Sequence, residues 1–522
     1  MAGRLVCDAV IGNSQVRTAE AGSRAGQDLR RPALPRPALP RPALPRPALP
    51  GPAARWRTAM AAALRRHWLA AALLAAGLAL RVLAQLAYRP ALFYIDTRYL
   101  YNADGMDPVG YKGPLRAILQ LANFDTVVAV QHLLGLAIAV VIYLLLRRRG
   151  TPRWLAALAI APILLDAYQL QTEQSIMPGT WFEALIVAGL AILLWQPKTS
   201  WRRAVAAGVV LGTSATVAQV GEVLIVPAVI YLLVADGGRR PAVRKAAALC
   251  AAFALPILVY CTGSYVLTGD FFLSHSGVTS FYGRMAAAAD CATIRLPSAE
   301  RGMCPTKTQQ ARGPDWLEYG DGSPIRPYYS DLPRAETDRL ISDFNRRVLT
   351  QQPLRVLGAY SRDVLKPFAL TRTTSPGDTP ISRWQFQTTF PYYPPHATMQ
   401  IVKTAIGRFG GGIPAVWRPG AVLLRSYQLG GGYTPGPLLV VFTLAGLAGP
   451  AVALRKRADP GTRQLALACL LFFTSAAALV LASDLFEFSW RYQLLALVTL
   501  APAGALGIAT IIRSIRTRQR SG

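Results

Sequence analysis

Charge is scarce in this sequence. Only 16% of its 522 residues are charged, against about a quarter in ordinary soluble domains. Acid is scarcer still: 27 Asp and Glu stand beside 56 Lys and Arg, a net charge of +29. Hydrophobic residues reach 52% and the mean hydropathy is +0.30. An ordinary soluble enzyme does not fit those figures. Histidine is limited to His67, His132, His275 and His396, too dispersed for a cluster, and no Cys/His spacing resembles a zinc site. There is no P-loop, no dinucleotide-binding glycine fingerprint, no Ser-His-Asp order and no DNA-binding motif. Without a nucleotide site, an ATP-driven pump and a transferase fed by cytoplasmic nucleotide sugars are both disfavoured. Two readings remain: a nucleic-acid binder, or a membrane protein whose basic residues lie in loops on one side.

The placement of the apolar runs and the arginines decides between them. A spanning helix needs about 20 mostly apolar residues. Ten segments qualify, at 68–88, 126–146, 153–169, 181–195, 203–218, 220–235, 246–267, 435–453, 464–482 and 490–512. Thirty-one of the 56 basic residues fall in the tail through His67, in the C-terminal tail, and in alternate connections such as Arg147-Arg148-Arg149. The short connections 170–180, 219 and 483–489 hold no Lys or Arg. The positive-inside rule therefore puts both termini on the cytoplasmic side of the cell membrane, and the Arg, Ala and Pro bias suggests a bacterial source. Interleaved charge of this kind forms no single patch, which excludes nucleic acid as a partner.

The expected fold is an all-α integral membrane protein of about 10 transmembrane helices with a mixed loop domain on the outer face. Residues 1–59 form a disordered Pro/Arg-rich tail, in which Arg-Pro-Ala-Leu-Pro repeats four times from Arg31 to Pro50. That tail is neutral to function, or the chain truly starts at Met60. Spans one to seven occupy 60–267 and include an outer loop at 89–125. Residues 268–434 form an extracytoplasmic domain with a helical stretch near 333–368. Residues 435–522 carry the last three spans and a short basic tail. Cys291 and Cys304 lie 13 residues apart in the outer domain. An oxidising compartment favours a disulfide between them over two free thiols.

Ionisable groups in or beside spans are costly and mark candidate sites. The loop after the first span holds Asp96, Arg98, Tyr99, Asp104, Asp107, Tyr111 and Lys112. Asp96 follows the span closely, where a carboxylate can act as general base on an acceptor hydroxyl; a solvated acid paired with Arg98 is the plain alternative. Asp166 and Glu173 share a helical face if the helix is continuous, with Glu183 beyond. Glu222 sits at an outer turn. Asp484 and Glu487 end the ninth span, and Trp490-Arg491-Tyr492 opens the tenth. Arg491 either snorkels to lipid phosphate or clamps the phosphate of a lipid-linked substrate, and its aromatic neighbours suit an interfacial belt equally well.

This layout resembles the GT-C class of multi-span glycosyltransferases, including the protein-mannosyltransferase and aminoarabinose-transferase-like families. Carrying the resemblance are Arg81 with the stretch Tyr94 to Tyr99, the element Gly110-Tyr111-Lys112-Gly113-Pro114-Leu115, the hairpin Ala207 to Leu233, and Trp490-Arg491-Tyr492. It covers about 68–275 and 435–512. In this chain Val217-Ala218-Gln219 stands where the class often offers an Arg, and no acid follows Met177 in Met177-Pro178-Gly179-Thr180. The resemblance implies an outer-face enzyme that takes a sugar from polyprenyl phosphate and gives it to a cell-envelope glycan, lipid or protein. By it, Asp96 is the catalytic base and Arg491 with Tyr492 the donor-phosphate contacts. Arg98, Tyr99, Tyr111, Lys112, Asp166, Glu173 and Glu222 are the substrate-binding candidates. No cofactor is fixed by any motif, and a divalent metal is left open. Two other functions share the span count: a transporter or flippase, and a non-catalytic protein that binds lipid-linked sugar or scaffolds the envelope.

Overall fold

The computed structural model describes residues 60–521 except 94–98, 101–107, 236–237, 391–398 and 454–458. The RPALP tail, Asp96 and Arg98 therefore lie outside the described residues. Eighteen helices carry the argument. In chain order they are α1 (Trp68–Ala87), α2 (Lys112–Leu121), α3 (Phe124–Arg149), α4 (Arg153–Leu165), α5 (Ala167–Gln174), α6 (Gly179–Leu194), α7 (Trp201–Val217), α8 (Ile225–Ala235) and α9 (Arg239–Thr268). The second half continues with α10 (Ser276–Ala288), α11 (Gly313–Tyr319), α12 (Arg334–Gln351), α13 (Pro353–Leu365), α14 (Met399–Phe409), α15 (Arg418–Leu429), α16 (Gly436–Ala453), α17 (Pro460–Phe486) and α18 (Leu495–Ser521). Among the described residues the one sheet pairs two two-residue strands, β1 (Tyr88–Arg89) and β2 (Ala415–Val416), in antiparallel register. That pairing fastens the end of α1 to the large segment.

Helix ends follow the local chemistry. The Asn123 side chain accepts from the Thr126 amide at the start of α3, satisfying one of the orphan donors there. Gly150, at φ 97°, stops the same helix in the left-handed region, and Arg147, Arg148 and Arg149 fill its last turn, where cations meet the negative end of the helix dipole. Asp459 caps α17 through the Gly461 and Thr462 amides.

The chain is an all-α, multi-pass membrane protein. Five helices are long and apolar enough to cross a bilayer: α1, α3, α9, α17 and the stretch Tyr492–Thr517. The count is six if α4 and α5 are one broken span, and α6, Gln219–Ala235 and Gly436–Val452 are apolar but shorter. The expected count of ten spans is thus not reached by length. The expected continuous span at 153–169 is corrected too. It bends by 51° between α4 and α5, because Pro162 lacks an amide hydrogen inside α4 and the Asp166 side chain restarts the helix by accepting from the Tyr168 amide. Residues 167–174, read in part as a short connection, form a fully buried helix.

Close crossings depend on glycine at two places that matter below. A Cβ on Gly212 of α7 would sit 2.1 Å from the Phe253 carbonyl of α9. A Cβ on Gly135 of α3 would sit 2.3 Å from Glu173 Oε1. The main core joins α2 to α8 with α17 and α18, and a second core holds α10, α11, α12 and α13 together in the large segment. Cys291 and Cys304 are joined by a disulfide in that segment. The face of the molecule that carries it is called the domain face here.

Candidate active site on the domain face

The site begins with the turn between α17 and α18. Trp490 is buried, donates its indole N–H to the Thr373 carbonyl at 2.9 Å, and packs edge-on against Phe488. It belongs to the protein interior, not to an interfacial belt. That anchor fixes its neighbour. Arg491 lies over the rings of Trp384 and Tyr492, 5.0 and 4.7 Å from their centres, and donates to the Tyr492 hydroxyl at 2.8 Å.

Arg491 and Tyr492 line a cavity of about 210 Å³. Tyr99, from the loop after α1, lines the same cavity; its ring meets that of Tyr111 edge-on at 5.8 Å. Met177, Pro178 and Glu183 supply the wall from the start of α6, and Ala218 and Gln219 another. The large segment closes it through Ser280 of α10 and Glu318 and Tyr319 of α11, while Glu487 completes the lining at the end of α17. Membrane helices and the large segment thus line one cavity together.

Its electrostatics are unusual. Glu318 accepts hydrogen bonds from the Ser280 and Thr279 hydroxyls. Burial pushes its carboxyl up to about 7, against the help of those donors. Glu487 is pushed up to about 8, first by burial and then by Asp315 and Glu318, while Arg491 and the Tyr492 hydroxyl pull the other way. Its Oε2 is sealed from solvent and has no hydrogen-bond partner among the described residues. Neither Glu318 nor Glu487 forms an ion pair there. A cationic side chain and two readily protonated carboxyls therefore face one cavity. That combination can hold an anion through Arg491 and Tyr492 and can hold or release a proton nearby.

The other candidates lie elsewhere. Glu173 is fully buried, with Arg81 donating to its Oε1 at 2.7 Å and His132 Nδ1 3.0 Å from Oε2. Arg81 also donates to the carbonyls of Gly77, Ile163 and Leu164. Tyr111 donates to Gln131 Oε1, whose amide donates in turn to the Glu173 and Ser175 carbonyls. Asp166 is paired with Arg372 at 2.8 Å and accepts from the Thr434 amide. The Arg372 guanidinium sits among the rings of Tyr168, Tyr433 and Trp490. These networks brace the cavity from behind and do not line it. Lys112 opens α2 and Glu222 is exposed in the turn before α8; neither lines the cavity. Burial and then Arg116 lower the Lys112 pKa. The structure thus brings together Arg491, Tyr492 and Tyr99 of the residues given a role from sequence, with Glu183 and Glu487 of the other ionisable groups noted there.

Glu318 escaped the sequence reading, and nothing in its neighbourhood signals a site. Glu487 was legible as an ionisable group at the end of a span, four residues before Arg491, but its sequence context assigned it no role. No group of three or more His, Cys, Asp or Glu is gathered for a metal ion among the described residues.

No family model matches the chain, and no curated protein matches it. It is similar to two solved structures of the archaeal oligosaccharyltransferase from Archaeoglobus fulgidus. One holds AglB with an inhibitory peptide and a dolichol-phosphate; the other is tethered by a disulfide bond to an acceptor peptide containing the NVT sequon. Each is 14% identical over 88% of this chain, at a TM-score of 0.40. The chain spans about half the length of those proteins, 52% and 51%. No residue role is transferred from either.

Proposed function

We propose that the chain is a membrane glycosyltransferase of the outer face of a bacterial cell membrane, moving a sugar from a polyprenyl-phosphate carrier to a cell-envelope acceptor. The observation that carries this reading is the cavity itself. It puts Arg491 and the Tyr492 hydroxyl in one space with Tyr99, which stands three residues after Asp96 in the chain. The sequence resemblance assigns the donor phosphate to the first pair and the base to Asp96.

In the proposed reaction the guanidinium of Arg491 and the hydroxyl of Tyr492 bind the phosphate. An acceptor oxygen attacks the anomeric carbon. The bond from that carbon to the phosphate oxygen breaks, Asp96 takes the acceptor's proton, and polyprenyl phosphate leaves with the bonding pair. Arg491 stabilises the charge that grows on the leaving oxygen. Protonated Glu487 and Glu318 tolerate the phosphate beside them, whereas their ionised forms repel it.

The test uses proteoliposomes with a radiolabelled polyprenyl-phosphate sugar extract. Asp96→Asn is expected to lower transfer by roughly 10²–10⁴ while donor binding persists. Transfer that survives Asp96→Asn unchanged removes Asp96 as base. Net movement of label across the bilayer, with no transfer, supports a transporter instead.

A further inference from the structure

Helix α13 shows a face that nothing among the described residues covers. Leu354, Leu357 and Leu365 are 80%, 57% and 64% exposed, and Leu370 just beyond the helix is 76% exposed. At 100° per residue the three helical leucines share one face, whose other member is the small Ser361. Val356 and Asp363, on the opposite side, are buried. Large apolar residues scattered singly on a surface need no explanation, but a contiguous stripe does.

The neighbours of α13 say what covers it. Tyr360 donates its hydroxyl to the Leu481 carbonyl of α17. Arg284 bridges the Asp363 carboxylate to the Asp484 carbonyl at 2.5 and 2.9 Å. Leu481 stands five residues before the end of the membrane-crossing helix α17, roughly 7 Å below its tip at 1.5 Å per residue. Helix α13 is therefore anchored beside a span and beneath that span's end. Leu481 and Leu485 of α17 are themselves exposed, as are Leu444 and Leu447 of α16. Gly436, the first residue of α16, has no room for a Cβ against the Ala369 carbonyl, so the segment after α13 rests on the start of a second apolar helix. The leucine stripe continues the exposed apolar surfaces of both.

We infer that α13 is an interfacial helix, with Leu354, Leu357, Leu365 and Leu370 sunk into the membrane leaflet on the domain face. Arg362, exposed on the helix, donates its Nε–H to the Gly358 carbonyl and offers its charge to the headgroups. Because α13 shares a core with α10 and α11, this seat also sets the height of Ser280 and Glu318 over the membrane. The inference does not rest on the transferase reading.

The experiment reconstitutes the full chain in liposomes of phosphatidylcholine and phosphatidylglycerol containing a phospholipid with a diazirine high on its acyl chain. After irradiation, peptides are mapped by mass spectrometry. Adducts on 353–370 are expected at yields comparable to the α16 peptide holding Leu444 and Leu447, with none on the exposed turn at Asp321. The double variant Leu354→Asp/Leu357→Asp changes only exposed positions and is expected to lose adducts on 353–370 while keeping those on α16. Adducts on α16 with none on 353–370 overturn the inference. So does unchanged labelling of 353–370 in the double variant, or protein–protein cross-links from that stripe in place of lipid adducts.

Discussion

Arg491 and Glu487 stand four residues apart, a turn that places a cation and a strongly desolvated carboxyl on one cavity. Their charges set two expectations. Glu487 is held up to about 8 against an ordinary 4.5, so it keeps its proton at neutral pH and loses it as the pH climbs through 8. Ionised, it repels a bound phosphate. Donor affinity is therefore expected to fall between pH 7 and pH 9, and Glu487→Gln to flatten that profile; an identical fall in the variant places the titrating group elsewhere. Glu173 behaves differently. It is ion-paired with Arg81 at 2.7 Å in the interior, where removing one partner strands the other. Glu173→Gln is expected to destabilise the protein by about 3–5 kcal/mol, read as a lower unfolding temperature in detergent. A variant as stable as wild type separates Glu173 from the fold.

At the scale of elements, helix α7 lies against α9 through glycine. Gly212→Leu puts a side chain where a Cβ is already 2.1 Å from a carbonyl. Overpacking of that kind costs about 1–3 kcal/mol or more, and the same variant at exposed Val209 is expected to be neutral in the same thermal assay. Most helices were legible from apolar runs, because a bilayer demands long uninterrupted stretches. The α4–α5 bend was not. Residues 153–169 contain no charge between Arg153 and Asp166, and counting apolar residues cannot tell a helix that ends at Asp166 from one that runs past it. Pro162 and the capping residue Asp166 were the available signals. In the site, Arg491 and Tyr492 were legible because charge at a span's end is rare. Glu318 was not, because only tertiary packing of α11 carries it to the cavity, and in sequence it is one of 12 acids in a polar segment. Asp166 and Glu173 drew attention for the same reason as Arg491, yet Arg372, Arg81 and His132 pair them internally. Partners that lie up to 206 residues away leave no trace in local spacing.

For the whole molecule, the net charge of +29 bears on the expected orientation through the positive-inside rule, and the proposed chemistry falls to a few groups on the domain face. Glu318 and Glu487 also make overall stability depend on pH. Both carboxyls are raised in the folded state, to about 7 and about 8 from 4.5. The folded protein holds protons there that the unfolded chain releases, so this contribution is complete below pH 4.5 and is lost as the pH rises toward 8. The most direct measurement of the central claim is equilibrium binding of a radiolabelled polyprenyl-phosphate sugar at pH 7, with wild type beside Arg491→Ala in lipid nanodiscs. Loss of a charge-assisted contact of about 1.5–3 kcal/mol is expected to weaken binding by roughly 10–150-fold. Equal affinity in the two proteins, with both folded, would contradict a donor-phosphate site at Arg491.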